Sequence, residues 1–224
     1  MKKSCFLHIL LLAVTLIVST SCTETEEQQE QEFVNWKETN EKFYENLYAN
    51  ALQRIKSGNQ SWKTFSKYTL DETQALTPAD HIVVKVLEEG GGSGCPLFSD
   101  TVMIHYRGML LRSATLVYPE DPELGLVFDE TYKGAFNPMT ATPRKMGVGF
   151  STSVNASGNV QSFPTIDGMT TVLMNMHIGD HWKVYIPYQQ GYGRVANGKI
   201  PAYSTLVFDL RLHSYCRPGG VMQN

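Results

Sequence analysis

The stretch from Phe163 to Gly193, FPTIDGMTTVLMNMHIGDHWKVYIPYQQGYG, constrains the fold more than any other part of the chain. From Thr165 onward Ile166, Met169, Leu173 and Met176 recur at steps of three and four residues, which places them on one face of a helix. Gly179 follows, the residue type that most often closes a helix. Trp182, Val184 and Ile186 then alternate with Lys183 and Tyr185, the pattern of a half-buried strand. Pro187 ends that strand, and Gly191-Tyr192-Gly193 turns the chain.

The strands of that sheet are read from their alternation. Ile82 to Leu87 is β-branched and apolar, and EEGGGSGCP (88–96) after it is a loop. It is no phosphate loop, because the Gly-Lys-Ser/Thr ending is missing and no helix follows. In TVMIHYRGML, Val102, Ile104 and Tyr106 alternate with Met103, His105 and Arg107, so Tyr106 is expected on the buried side. Residues 112–127 carry Pro119, Pro122 and Gly125 and read as a long excursion, from which Val127-Phe128-Asp129 returns. Lys145 to Gly149 is a short strand candidate, and 151–162 reads as a polar insertion. Leu206, Phe208, Leu210 and Leu212 alternate with Val207, Asp209, Arg211 and His213 in a long final strand with one wet face. Five or six strands and one short helix make an α+β domain.

The N-terminal part reads differently. Lys2 and Lys3 precede an apolar run from Phe6 to Val18, followed by Ser19-Thr20-Ser21-Cys22, the order of a secretory signal. The small residues before Cys22 resemble the lipobox of bacterial lipoproteins, with Ser19 where leucine is usual. On that resemblance residues 1–21 are a signal peptide and Cys22 is the lipidated residue. TETEEQQEQE follows, with five glutamates and no basic residue through Glu32, so 22–32 is expected to be an acidic tether. From 33 to 55 Phe33, Trp36, Phe43, Leu47, Ala51 and Ile55 form the stripe of an amphipathic helix, ended by Ser57-Gly58-Asn59. This stripe packs either on its own domain or, as the sharper expectation, in a homodimer. Residues 33–80 are expected as a helical extension, 81–216 as the main domain and 217–224 as a tail.

Composition excludes several classes. A net charge of −3 and a pI near 6.1 argue against nucleic acid, which demands a basic stripe. Four cysteines are too few for a disulfide scaffold. His177 and His181 are separated by Gly179, which breaks the helix that an i,i+4 metal pair needs, so neither metal nor other cofactor is expected.

HYRGML, VFDE, the Thr165–Gly193 block and KIPAYSTLVFDLRL, in that order, resemble the FKBP-type peptidyl-prolyl cis-trans isomerases over roughly Ile82 to Tyr215. The resemblance implies a strongly curved antiparallel sheet over one short helix, with an aromatic pocket for proline-containing polypeptide. Carried over residue by residue, Tyr106 matches the pocket tyrosine, Phe128 and Asp129 the Phe-Asp pair, and Phe208 the phenylalanine of the pocket wall. Thr165 and Ile166 match the Val-Ile pair that starts the helix, where the isoleucine backbone contacts the ligand. Tyr192 matches the tyrosine whose hydroxyl bonds a ligand carbonyl. Ile200 matches the isoleucine of the preceding loop. Met169 stands where the family has a tryptophan floor, Arg144 and Met146 where it has an aromatic pair, and the Arg194–Ala202 loop lacks the usual histidine.

The resemblance implies an isomerase of the cell envelope, lipid-anchored on the periplasmic or surface side of the outer membrane, acting on prolyl segments of unfolded or partly folded proteins. Two rivals stand beside it: a peptide-holding chaperone with a detuned pocket, and a scaffold lipoprotein. Cys95 and Cys216 form a candidate disulfide, because an exported chain meets an oxidising compartment and the family fold brings their strands near each other.

Overall fold

The computed structural model describes residues 31–71, 73–154, 157 and 160–222. The apolar N-terminal run, Cys22 and the tether up to residue 30 therefore lie outside the described residues. Among the described residues no helix is long and apolar enough to cross a membrane.

Helix α1 spans Trp36–Lys56, and strand β1, Trp62–Ser66, follows it. The strands β2 (His81–Glu88), β3 (Thr101–Leu111), β4 (Leu124–Glu130), β5 (Arg144–Gly147), β6 (Phe150–Val154) and β7 (Val160–Pro164) come next. Helix α2 is Asp167–Leu173, and β8 (His181–Ile186) and β9 (Leu206–Cys216) complete the order. Seven strands make one antiparallel sheet in the order β1-β2-β8-β9-β3-β4, with β5 also paired to β3. The sheet is open and curved, as expected of the α+β reading.

β3 explains the position of the site. One edge pairs with β9 from Thr101 to Met109. Its other edge is divided: β5 takes Thr101 to Ile104 and β4 takes Arg107 to Leu111. Tyr106 falls in the gap between the two partners. Its main chain is closed there by Thr131, whose N–H donates to Tyr106 O at 2.9 Å and whose Oγ1 accepts from Tyr106 N at 2.9 Å.

α2 lies across the inner face. It is seven residues long, too short to persist on its own hydrogen bonds. Burial holds it: Val172 and Leu173 are both 0% exposed, at about 1.5–3 kcal/mol for a fully buried side chain of this size. Gly168 presses directly on β8, where a Cβ would sit 2.3 Å from Ile186 Cγ2. Gly179 ends the following turn at φ 93°, a left-handed conformation that favours glycine.

α1 lies on the opposite face of the sheet, with Phe43 6.3 Å from the Tyr185 ring. Trp36, Tyr44 and Ala51 are buried against the chain's own domain. Trp36 Nε1 donates to Ser204 Oγ at 2.8 Å, Thr205 N to Asn40 Oδ1 at 2.7 Å, and the Tyr44 hydroxyl to His81 O at 2.7 Å. The stripe that the sequence offered to a second copy is therefore occupied within one chain. The 33–80 extension, expected to be helical, is so only in part: β1 adds an edge strand by pairing with β2, and Phe65 stacks on Trp182 at 5.8 Å.

Three further expectations change. The polar insertion at 151–162 is not all loop, since β6 and β7 pair from Phe150↔Pro164 to Val154↔Val160. His105 and Arg107 do not face water: they are 4% and 6% exposed. The excursion after β3 and the loop after β4 cover them, with Arg107 donating to Glu130 at 2.9 Å and to Gly134 O at 2.8 Å, and with Phe136 edge-on to His105. Cys95 and Cys216 are not joined. Both thiols are free, because Cys95 is turned towards His177, with Sγ 3.6 Å from Nε2, while Cys216 ends β9 opposite Thr101.

The last residue of the acidic stretch is fastened to the domain. Glu32 Oε1 accepts from Thr115 N at 2.9 Å and Leu116 N at 3.2 Å, and its carboxylate also binds the Ser113 and Thr115 hydroxyls. The hydrogen bonds from Ser113 and Thr115 push the Glu32 pKa down to about 2.

Candidate functional site

A cleft of about 390 Å³ opens where β3, β4, β5, α2 and the turn after β8 converge. Tyr106, Phe128, Asp129, Met146, Thr165, Ile166, Met169, Tyr192 and Phe208 all line it, so nine of the ten residues picked for catalysis or substrate binding from sequence share one cavity. Ile200 does not. It is 6% exposed, packs in the core cluster and is not part of the lining, because the bridge Asn197↔Ile200 folds its loop back on itself. Ile104 and Pro164 join the lining, as do Arg144 and Lys145. Only the alternation of β3 hinted at Ile104, and nothing in the polar composition before Pro164 pointed to it.

The walls are aromatic and interlocked. Phe208 meets Tyr106 edge-on at 5.9 Å and Phe128 at 5.6 Å. Gly108 makes this possible: a Cβ there would lie 2.5 Å from the Phe128 ring and 2.9 Å from the Phe208 ring. Met169, 5% exposed, supplies the floor from α2. Thr165 ties the start of that helix to the neighbouring turn, donating from N to Gly149 O at 3.0 Å and from Oγ1 to Gly147 O at 3.1 Å.

One rim is charged. The Tyr106 hydroxyl donates to Asp129 Oδ2, and Arg144 binds the same carboxylate at 2.7 and 3.3 Å. The Arg144 guanidinium also lies 5.0 Å over the Tyr106 ring, a cation–π contact. Burial acts to raise the Asp129 carboxyl, but the hydrogen bonds from Arg144 and Tyr106 outweigh it and hold it below the ordinary carboxylate value. Burial, followed by the Asp129 bond and charge, pushes the Tyr106 phenol up, so it remains a donor. Arginine thus stands at the position of one expected aromatic and neutralises the one acid in the cleft.

Two donors are left open. Tyr192 sits at the mouth, 39% exposed, and its hydroxyl has no partner among the described residues. Ile166 caps α2, and its N–H likewise has no acceptor among them, as the first amides of a helix commonly do not. Apolar walls with two peripheral donors fit a short apolar ring flanked by peptide carbonyls. Among the described residues no group of three or more His, Cys, Asp or Glu could hold a metal ion.

Comparison with known proteins points the same way. Residues 96–213 match the model of FKBP-type peptidyl-prolyl cis-trans isomerase. The macrophage infectivity potentiator of Trypanosoma cruzi is 27% identical over 153 residues, 68% of this chain and 62% of that protein. FK506-binding protein 1 of Aspergillus oryzae is 30% identical over 128 residues, 57% of this chain and 92% of that protein. Against longer relatives the chain spans 43% to 62% of their length. Among solved structures, the peptidyl-prolyl cis-trans isomerase of Pseudomonas syringae aligns with a TM-score of 0.48 and 20% identity, covering 81% of this chain and 96% of that one. With the family model spanning more than half its length, the chain belongs to the FKBP-type peptidyl-prolyl cis-trans isomerase family.

Proposed function

We propose that this chain is a peptidyl-prolyl cis-trans isomerase that accelerates rotation about X-Pro bonds in polypeptides of the cell envelope. The observation that carries the reading is the aromatic cleft of Tyr106, Phe128 and Phe208 closed by Ile166 and Met169 of α2. Rotation about an X-Pro bond crosses a barrier of about 18–20 kcal/mol and breaks no covalent bond. Resonance makes the planar amide polar, and the twisted transition state loses that polarity. An apolar cleft therefore favours the twisted form relative to water, which is differential binding of the transition state. Tyr192 and the Ile166 N–H hold the carbonyls on either side. Asp129, ionised and bonded to Arg144, holds the Tyr106 ring in the wall and moves no proton.

The second reading is a protein that holds prolyl segments without turning them over. It draws on Arg144 over the Tyr106 ring and on a methionine floor, which is flexible and polarisable but offers no flat face to a proline ring. A protease-coupled assay on Ala-Leu-Pro-Phe peptides separates the two, run on the chain and on Met169→Trp. The expected result is acceleration by the wild type and a further gain of about threefold to tenfold in Met169→Trp, from ring stacking of about 0.5–1.5 kcal/mol. A gain confined to the variant would move the assignment to the holding reading, and silence from both would leave only the scaffold.

We further propose that the chain is exported and lipid-anchored through Cys22, on the outer membrane. The support is Lys2-Lys3, the apolar run Phe6–Val18 and the small residues before Cys22. Cells grown with labelled palmitate are expected to yield labelled protein and to lose the label in Cys22→Ser. Equal labelling of both would remove the anchor from the reading.

A further inference from the structure

The β6–β7 hairpin leaves two large aromatic side chains open to water: Phe150 and Phe163 are 51% and 50% exposed. Phe150 is not isolated. Phe98 meets it edge-on at 5.2 Å, and Tyr68 stacks on Phe98 at 5.6 Å. An exposed group of rings of this kind marks an interaction surface more often than a solvated loop. Beneath it lies a cavity of about 620 Å³, in which Phe98 and Phe150 supply apolar surface beside the polar Ser99, Asp100, Thr101 and Ser162.

This second cavity adjoins the prolyl cleft, since the two share lining residues on β5. Lys145 and Met146 of β5 line both. Pro164 of the first cleft pairs with Phe150 of the second. The register of β3 sets the separation, since Ile104 lines the cleft opposite Arg144 and Thr101 lines the second cavity opposite Gly147. Three strand residues span about 10 Å, and an extended polypeptide has the same rise.

We propose that the second cavity is a subsite of the prolyl cleft, taking an aromatic or large aliphatic side chain of the same client polypeptide about three residues from its proline. The proposal rests on the isomerase-family reading of the cleft and adds a requirement to the client: a bulky apolar residue at a set distance. The wall shared at Lys145 and Met146 and the match of spacing favour a bound polypeptide as occupant. The acidic stretch 23–32 carries no apolar residue to fill the cavity. Lys145, exposed and without an ion-pair partner among the described residues, stands on the wall between the two cavities, where the client main chain crosses.

The test uses fluorescence anisotropy with labelled peptides of about a dozen residues, each a Gly/Ser/Ala chain with one Leu-Pro. Phe is absent, placed three residues from the proline on either side, or placed six residues away. The expected result is about fivefold tighter binding for a Phe three residues away on one side, equivalent to about 1 kcal/mol, and no gain for the distant Phe. Phe150→Ser, at an exposed position that leaves the core intact, is expected to erase that gain. Equal affinity for all peptides, or a gain that persists in Phe150→Ser, overturns the subsite. A concentration-dependent dimer in sedimentation, lost in Phe150→Ser, overturns it in favour of a second copy as occupant. X-Pro exchange by NMR on the same peptides keeps the two readings apart: a binding gain without faster exchange retains the subsite while the isomerase assignment falls.

Discussion

Phe208→Ala is expected to lower kcat/KM on short prolyl peptides by about 10- to 100-fold, which corresponds to about 1.4–2.8 kcal/mol of lost transition-state stabilisation. Phe208 is 5% exposed and forms the common wall between Tyr106 and Phe128, edge-on to both. Its removal takes away the ring that fixes the other two and opens the apolar wall to water, which restores a polar surrounding to the amide. Stability falls with it: a buried phenylalanine cut to alanine costs about 3–5 kcal/mol, a drop in Tm of roughly 10 °C for a chain of this size. Phe208→Leu separates the two effects. It keeps most of the volume, so a volume-conserving swap is expected to cost below about 1.5 kcal/mol, while the flat wall is still lost. Thermal denaturation and the coupled assay, run together below both melting points, read the two terms. A folded Phe208→Ala whose kcat/KM stays within twofold of wild type contradicts the placement of the reaction in this cleft.

The parts of this site that were legible in the sequence are those whose periodicity and order coincide. Ile166, Met169 and Leu173 follow a helix period that α2 carries, while Met176 falls after the helix, which ends at Leu173 and not at Gly179. Tyr106 and Phe208 follow strand alternation on β3 and β9, which pair with each other, so two aromatic positions far apart in sequence meet on one face. Ordered motifs added Phe128, Asp129 and Tyr192, which no pattern alone distinguishes from turn residues.

What stayed hidden has common physical causes. β1 is half-buried along its whole length, so WKTFS shows no alternation. β6 and β7 lie off the main sheet and their sequence is polar and serine-rich, which reads as loop because it carries no apolar period. His105 and Arg107 obey the alternation of β3 yet are buried, because the covering comes from loops distant in sequence and Arg107 enters with its acidic partner Glu130. Alternation tells which side of a strand a residue takes, and it does not tell what will lie on that side. Ile200 stands apart for a related reason: motif spacing located it along the chain, while its loop folds back at the Asn197↔Ile200 bridge and leaves it outside the lining of the cleft.

Gly168→Ala is expected to reduce both stability and catalysis, and a second substitution on β8 is expected to restore part of each. Residue 168 sits in the first turn of α2, between Ile166 and Met169 of the cleft, and the new Cβ would lie 2.3 Å from Ile186 Cγ2 and 3.1 Å from Cγ1 and Cδ1. Ile186 is 0% exposed and β-branched, so it cannot turn aside without disturbing the core. Overpacking of this kind costs about 1–3 kcal/mol, against a gain of about 1 kcal/mol in helix propensity from replacing glycine. α2 must therefore move off the sheet, carrying the Ile166 N–H and the Met169 floor with it, and kcat/KM is expected to fall about tenfold or more for a displacement near 1 Å. Ile186→Ala alone leaves a cavity and costs about 2–5 kcal/mol. In the double variant the alanine methyl of residue 168 enters that cavity, so the two costs are expected to fall short of additivity by about 1–2 kcal/mol. Chemical denaturation of the four proteins gives this coupling directly. Strict additivity, or a Gly168→Ala chain with unchanged stability and kcat/KM, shows that α2 does not depend on contact with β8 for the shape of the cleft.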